Sequence, residues 1–80
     1  MSAAVVTLTP TNNPGARRIL AGPISEPGAS SVVAAELDRL HRCGFRATMP
    51  HTSPDGAYTV VVLRHPHSST ELHLAIWRTL

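Results

Sequence analysis

Gly44 divides the central part of this chain into a helical half and a strand-like half. Before it, apolar residues recur on one face at helical spacing, namely Ala29, Val33, Leu37 and Leu40. Glycine fits the left-handed residue that closes a helix, and Phe45 can then contact Leu40, as in a Schellman stop. The pattern predicts an amphipathic helix that ends here and packs its apolar face on a sheet.

The segment Ser25-Glu26-Pro27-Gly28 predicts the start of this helix. The serine hydroxyl can cap free amides, the acid suits the first turn, and proline loses nothing where its N–H has no partner. The opposite face of the helix carries small and charged residues, which are Ser31, Ala35, Asp38, Arg39 and Arg42. We expect that face to be exposed, with Asp38 and Arg42 paired four residues apart.

After the helix, the apolar residues alternate with polar ones, as they do in strands. Phe45, Ala47 and Met49 predict a half-buried strand that ends at Pro50. Ser53-Pro54-Asp55-Gly56 is typical of a turn and sends the chain back antiparallel. The returning strand, Ala57 to His65, is apolar on both faces, so another segment covers its far face or that face meets a partner.

The two ends of the chain also have strand character. Residues 3–9 are rich in β-branched types, and Thr11-Asn12-Asn13-Pro14-Gly15 is typical of a turn. Arg17 to Leu20 can return as a second strand, which we expect Pro23 to interrupt. Residues 70–80 fit both a helix entered through a capping box and an alternating strand; we favour the strand, because it shields the apolar strand before it.

These elements predict an α+β fold. Its antiparallel sheet consists of a strand or hairpin followed by a three-stranded meander, with one helix packed on one face. Residues 1–80 are expected to form a single small domain, near the lower size limit for a self-supporting core.

The composition narrows the class of protein. The 42% hydrophobic residues indicate a globular chain, and no run of about 20 apolar residues could span a membrane. The start lacks the pattern of a signal peptide, so we expect a cytoplasmic protein. All seven basic residues are Arg and the net charge is +2. These basic residues are too dispersed to match the clustered Lys and Arg residues that are typical of a strong nucleic-acid binder.

Residue types that carry chemistry form no familiar motif. His65, His67 and His73 lack an acid or cysteine at a ligand spacing, and Cys43 is the only cysteine, so we expect no metal and no cofactor. The chain has no glycine-rich phosphate loop, no paired carboxylates and no Ser/His/Asp arrangement. We therefore expect a protein that is not an enzyme.

One resemblance points towards catalysis. Leu37-x-x-Leu40-x-x-x-Gly44-Phe45, followed by His51, Tyr58 and Arg64-His65-Pro66, resembles the HicA family of toxin ribonucleases, small folds with a helix followed by three strands. The resemblance implies a ribonuclease with His51 as a catalytic residue. The Gly-Ser-His signature of that family is absent from this chain.

A second resemblance covers the first third of the chain. Val5-Val6-Thr7-Leu8-Thr9, then Asn13-Pro14-Gly15, then Ala21-Gly22 and Ser25-Glu26-Pro27-Gly28-Ala29 resemble a small phage anti-CRISPR protein directed at type I surveillance complexes. The resemblance implies a non-catalytic inhibitor. Such a protein binds a subunit of the RNA-guided complex and obstructs target DNA binding or nuclease recruitment.

The predicted partner-binding residues are Asp38, Arg39 and Arg42 on the exposed helix face and Arg46 on the adjoining strand. Arginine is enriched at interface hot spots, so these residues fit a protein partner, such as a type I CRISPR effector subunit. The alternative is a nucleic-acid binder in which the same arginines meet phosphates. A homodimer is a further alternative, because dimerisation can bury a face of a thin sheet that is apolar on both faces.

Overall fold

A computed structural model describes residues 3–78 of the chain. Within that range the chain forms a six-stranded antiparallel sheet and one α-helix that packs on one side of it. The strands and helix are β1 (Ala4–Pro10), β2 (Arg18–Ile24), α1 (Glu26–Arg42), β3 (Arg46–Ala47), β4 (His51–Thr52), β5 (Tyr58–Arg64) and β6 (Glu71–Arg78). The predicted α+β class is confirmed.

The strand order places the two ends of the chain side by side. It reads β2-β1-β6-β5-β3, and β4 also pairs with β5. β6 pairs with β1 on one side through residues 72–78 and with β5 on the other through residues 71–77. Residues 71–78 therefore form a strand, as predicted; positions 79 and 80 of that prediction lie outside the described residues.

Both predicted ends of the helix are confirmed. The Ser25 hydroxyl accepts a hydrogen bond from the Gly28 amide at 3.3 Å. At the other end, the Phe45 amide donates to the Leu40 carbonyl and the Gly44 amide to the His41 carbonyl, each at 3.0 Å. Gly44 has a φ of 95°, which the Schellman motif requires at that position.

The core lies between α1 and the sheet. Val6, Leu63 and Leu74 have the largest fully buried side chains. From the helix, Ala29 and Leu40 are buried, and Val33 and Leu37 pack against the same cluster, as their spacing predicts. The opposite helix face is exposed, which confirms that expectation as well.

The prediction that Pro23 would interrupt the second strand is wrong. β2 runs through it to Ile24, with irregularities in its pairing to β1 between Ala4 and Thr7. β2 lies at the edge of the sheet, where a residue without an N–H is tolerated because one side of the strand has no ladder partner.

The prediction of a half-buried strand up to Pro50 is also wrong. β3 contains two residues, Arg46 and Ala47, and both are exposed. Met49 is 88% exposed, because the strand has already ended and no described residue covers that side chain. Phe45 alone of the three alternating apolar residues packs against the core.

Candidate functional site

The side of the sheet away from α1 carries a distinct set of side chains, which we call the open face. Because side chains alternate along a strand, the neighbours of core residues point away from the helix. Register aligns Thr7, Ala75 and Val60 across three strands, and aligns Thr9, His73 and Val62 two positions further along. Apart from the loop before β2, which carries Arg17, no segment of residues 3–78 covers this face, so most of the far side of the β5 strand has no covering segment within that range.

The open face contains a groove of about 370 Å³. Its lining residues come from β1, β5, β6 and the loop before β2, and they are Thr7, Thr9, Arg17, Tyr58, Val60, His73, Ala75 and Trp77. Thr7 and Ala75 are buried and form its floor, whereas His73, Trp77 and Arg17 are exposed. A floor with hydroxyl and methyl groups and a wall with aromatic rings suits a planar or apolar ligand group.

Two aromatic rings stand together at one end of the groove. Tyr58 and Trp77 are direct cross-strand partners, and their ring centroids are 5.3 Å apart with the planes tilted by 42°. The Trp77 indole Nε1–H donates a hydrogen bond of 2.9 Å to the Thr7 hydroxyl on β1. These contacts hold the indole in a fixed position while 40% of the residue stays exposed.

Arg17 reaches over this aromatic pair from the loop between β1 and β2. A short 3-10 helix, Pro14–Ala16, ends immediately before it. The guanidinium carbon lies 5.8 Å from the centre of the Trp77 ring, within the range of a cation–π contact. The loop thus places a positive charge over the indole ring.

A second cationic group lies at the other end of the open face. Arg46 on β3 is directly opposite Arg64 on β5. Arg64 Nε donates to Glu71 Oε2 at 2.8 Å, and His73 Nε2 is 3.8 Å from Glu71 Oε1. Like charges at opposite positions of a strand pair repel each other, and Glu71 offsets one of these two arginines.

The charges of the two sides of the molecule differ. On the helix side, three arginines have acidic partners: Arg39 binds Glu36, Arg42 binds Asp38, and Arg78 binds Glu26. On the open face, Arg17, Arg46 and Arg64 are accompanied by one acid, Glu71. Among residues 3–78, Arg17 and Arg46 form no ion pair. Arg18 is opposite the core residue Leu8, so it lies on the helix side, and it too forms no ion pair among residues 3–78. The net positive charge is therefore larger on the open face, with three arginines and one acid, than on the helix side, with four arginines and three acids.

The structure separates the four residues predicted to bind a partner. Asp38, Arg39 and Arg42 lie together near the end of α1 and are exposed. Arg46 pairs with Arg64 on the open face, whereas its neighbour Ala47 pairs with the core residue Leu63. Arg46 therefore points away from the helix, and the three helix residues form a surface of their own. Their role in binding stays a prediction.

Glu36, which sequence reasoning did not select, engages Arg39. Its carboxylate accepts two hydrogen bonds, 2.6 Å from Arg39 Nε and 2.8 Å from Nη2. These bonds lower the pKa of Glu36 and, in the same way, raise the pKa of Arg39. This arginine is therefore already engaged within its own helix, and a partner would have to compete with Glu36 for it.

The residues considered for chemistry are dispersed. His51 lies on β4 opposite Val60 and is exposed, and the exposed Cys43 caps the end of α1. In the described part of the chain, no three His, Cys, Asp or Glu side chains lie close enough to share a metal ion. In the same range, no helix has the length and apolar character to cross a bilayer.

Comparisons with protein-family models, with curated proteins and with solved structures found no match to this chain.

Sequence reasoning missed Arg17, Tyr58 and Trp77 as members of one site. The signal that could have found them is the alternation of residues 58–62 and 73–77, which puts Tyr58 and Trp77 on the same side as Val60 and Ala75. The contribution of Arg17 has no comparable signal, because it depends on how the β1–β2 loop folds over the sheet.

Proposed function

We propose that this chain is a non-catalytic binding protein, an inhibitor of the anti-CRISPR kind, which attaches to a type I surveillance complex through its open face. The observation that carries the proposal is the uncovered side of the sheet with its aromatic groove. A small domain that leaves ordered aromatic side chains exposed over a groove has the features of a binding surface. The resemblance in the first third of the chain supplies the class of partner.

The open face suits this role better than the helix surface formed by Asp38, Arg39 and Arg42. Arg39 and Arg42 are bound to acids one turn away, so a partner would gain little net charge from them. On the open face, Ile19 is 68% exposed on β2, where it pairs with Thr7 beside the groove. Together with Trp77 it extends the apolar surface that an interface core requires.

The test uses cells that carry a type I CRISPR system. The tagged protein is expressed, nuclease is added to the lysate, and the captured subunits are identified and quantified. Plating of a phage that the system targets gives an independent measure of inhibition. We expect the surveillance complex in stoichiometric amount and restored plating of the phage.

Two matched variants locate the surface. Ile19→Asp changes an exposed residue of the open face, and we expect it to abolish both capture and inhibition. Arg39→Glu with Arg42→Glu changes the helix surface and should leave both intact. The reverse pattern would assign binding to the helix surface. Absence of the complex and of inhibition for the unaltered protein would overturn the proposed function.

A further inference from the structure

We propose that the groove of the open face holds a single-stranded nucleic acid, with a base stacked at Trp77 and Tyr58 and the phosphates at the nearby arginines. The inference rests on the proposed function in one respect: both assign binding to the open face, and the inference names what binds there. It does not depend on which larger complex presents the strand.

The aromatic pair is held in place by contacts within the fold. Trp77 is held by Thr7 on one side and by Tyr58 on the other, so its ring needs no ordering when a ligand arrives. Every base has a π-face, and stacking on fixed aromatic side chains is the sequence-tolerant part of single-strand binding. In a duplex those faces are covered by neighbouring bases. The exposed indole therefore favours an unpaired strand over a double helix.

Cationic side chains lie at both ends of the open face. Arg17 lies over the Trp77 ring at one end of the groove, and Arg46 and Arg64 lie beyond the groove, at the far end of the open face. Trp77 and Glu71 are six positions apart on β6, which is roughly 20 Å at about 3.4 Å per residue. A flexible polyanion that follows β6 can thus meet one cation at its stacked base and two more at the far end of the open face.

Arg46 and Arg64 repel each other. They are directly opposite each other at the edge of the sheet, and Glu71 is bonded to Arg64 and not to Arg46. A phosphate next to Arg46 would offset the remaining charge. An apolar protein surface placed on this end would instead bury a guanidinium without an acidic partner, which is unfavourable. The charge at this end therefore favours an anionic strand as the occupant.

The experiment exploits the fact that Trp77 is the single tryptophan of the chain. Purified protein is titrated with mixed-sequence RNA and DNA single strands of about ten nucleotides and with the matching duplexes. We expect quenching of the indole fluorescence by single strands and much weaker binding of the duplexes. Affinity for single strands should fall with salt, with a slope of about 0.7 per phosphate neutralised.

Four variants test the residues, with the anisotropy of a labelled strand as the readout. Trp77→Ala should weaken binding by about 5- to 150-fold, as expected for the loss of one stacked base. Trp77→Phe keeps an aromatic face and should retain most of the affinity, which separates stacking from folding. Arg17→Gln should weaken binding and reduce the salt slope. Arg42→Gln makes the same charge change on the helix surface and should have no effect.

Each outcome decides the proposal. Single-strand binding that is lost in Trp77→Ala, kept in Trp77→Phe and unaffected by Arg42→Gln supports it. Equal affinity for duplexes, or loss of binding in Arg42→Gln alone, would overturn it in favour of phosphate binding elsewhere. Failure to bind any strand, while the open-face variant Ile19→Asp still loses the surveillance complex, would also overturn it and leave the proposed function standing. Binding of strands without any surveillance complex would overturn the proposed function alone.

Discussion

The indole of Trp77 and the hydroxyl of Thr7 are joined by a 2.9 Å hydrogen bond between residues 70 positions apart in the chain. The bond crosses from β6 to β1, the two strands that bring the ends of the chain together. It connects the wall of the groove to its buried floor. The position of the candidate binding residue therefore depends on pairing between the first and the last strand.

Thr7→Val should loosen this indole while keeping the shape of the floor. We expect the free energy of unfolding to fall by about 1 kcal/mol, since one hydrogen bond is lost. The emission of Trp77 should also shift, because its N–H then turns to water. Chemical denaturation followed by fluorescence measures both. Thr9→Val is the control on the same strand and face: an equal loss there would show that the effect does not come from the bond to Trp77.

Gly22 allows the edge strand β2 to approach β1 closely. Its φ is 124°, and a Cβ built there would lie 2.7 Å from both the Ala4 carbonyl oxygen and the Val5 Cα. Gly22→Ala should therefore destabilise the protein by at least about 1 to 3 kcal/mol, because backbone has to move. Gly15→Ala, which meets only the Asn13 side chain at 3.6 Å, should change the unfolding midpoint little. Similar midpoints for both variants would contradict this account.

Local patterns in the sequence predicted the helix and its neighbouring turns because their causes lie within a few residues. The Ser25 cap, the Gly44 stop and the Ser53–Gly56 turn each depend on hydrogen bonds or backbone angles of adjacent positions. The two predictions that were wrong depended instead on where each strand lies and ends in the sheet. Pro23 is tolerated because β2 is an edge strand, and Met49 is exposed because β3 ends two residues before it.

The candidate site was harder to predict, since it depends on register between distant strands. The apolar far side of β5 already indicated either a covering segment or a partner surface. Which side chains share that side follows only from the pairing of β6 with β5, which puts Trp77, Ala75 and His73 beside that strand. The surroundings of single arginines also depend on the fold: Arg39 is bonded to Glu36 within its helix, whereas Arg17 is placed over the Trp77 ring by a loop.

Arg78 forms hydrogen bonds with three different parts of the fold. Its guanidinium donates to Glu26 at the start of α1, to the Thr59 hydroxyl at 2.8 Å and to the Gly56 carbonyl at 3.4 Å. Arg78→Met should lower the free energy of unfolding by about 1 to 3 kcal/mol, because these bonds are partly shielded from water. Arg42→Met removes an exposed pair on the same helix side and should cost less than about 0.5 kcal/mol. Equal losses in the free energy of unfolding for the two variants, measured by denaturant titration, would show that the Arg78 bonds stabilise the fold no more than the exposed Arg42 pair.

Acid should destabilise the protein through two carboxylates that are hydrogen-bonded in the native state. Hydrogen bonds from Arg39 lower the pKa of Glu36 from its ordinary 4.5, and bonds from the Ser53 hydroxyl and the Ala57 amide lower the pKa of Asp55 from 3.8. At pH values between the folded-state and unfolded-state pKa values, the unfolded chain therefore binds more protons than the folded one. The stabilisation is therefore complete when the pH is above the pKa values of the unfolded state, and it is lost as the pH falls through the pKa values of the folded state.

The measurement is the free energy of unfolding between about pH 6 and pH 2, taken for the unaltered protein and for Glu36→Gln with Asp55→Asn. The double variant should be less stable at neutral pH, because both carboxylates lose their charge-assisted bonds. Its stability should also fall less steeply with acid, so that the two curves converge at low pH. Curves that stay parallel down to pH 2 would show that neither carboxylate is held by these bonds in solution.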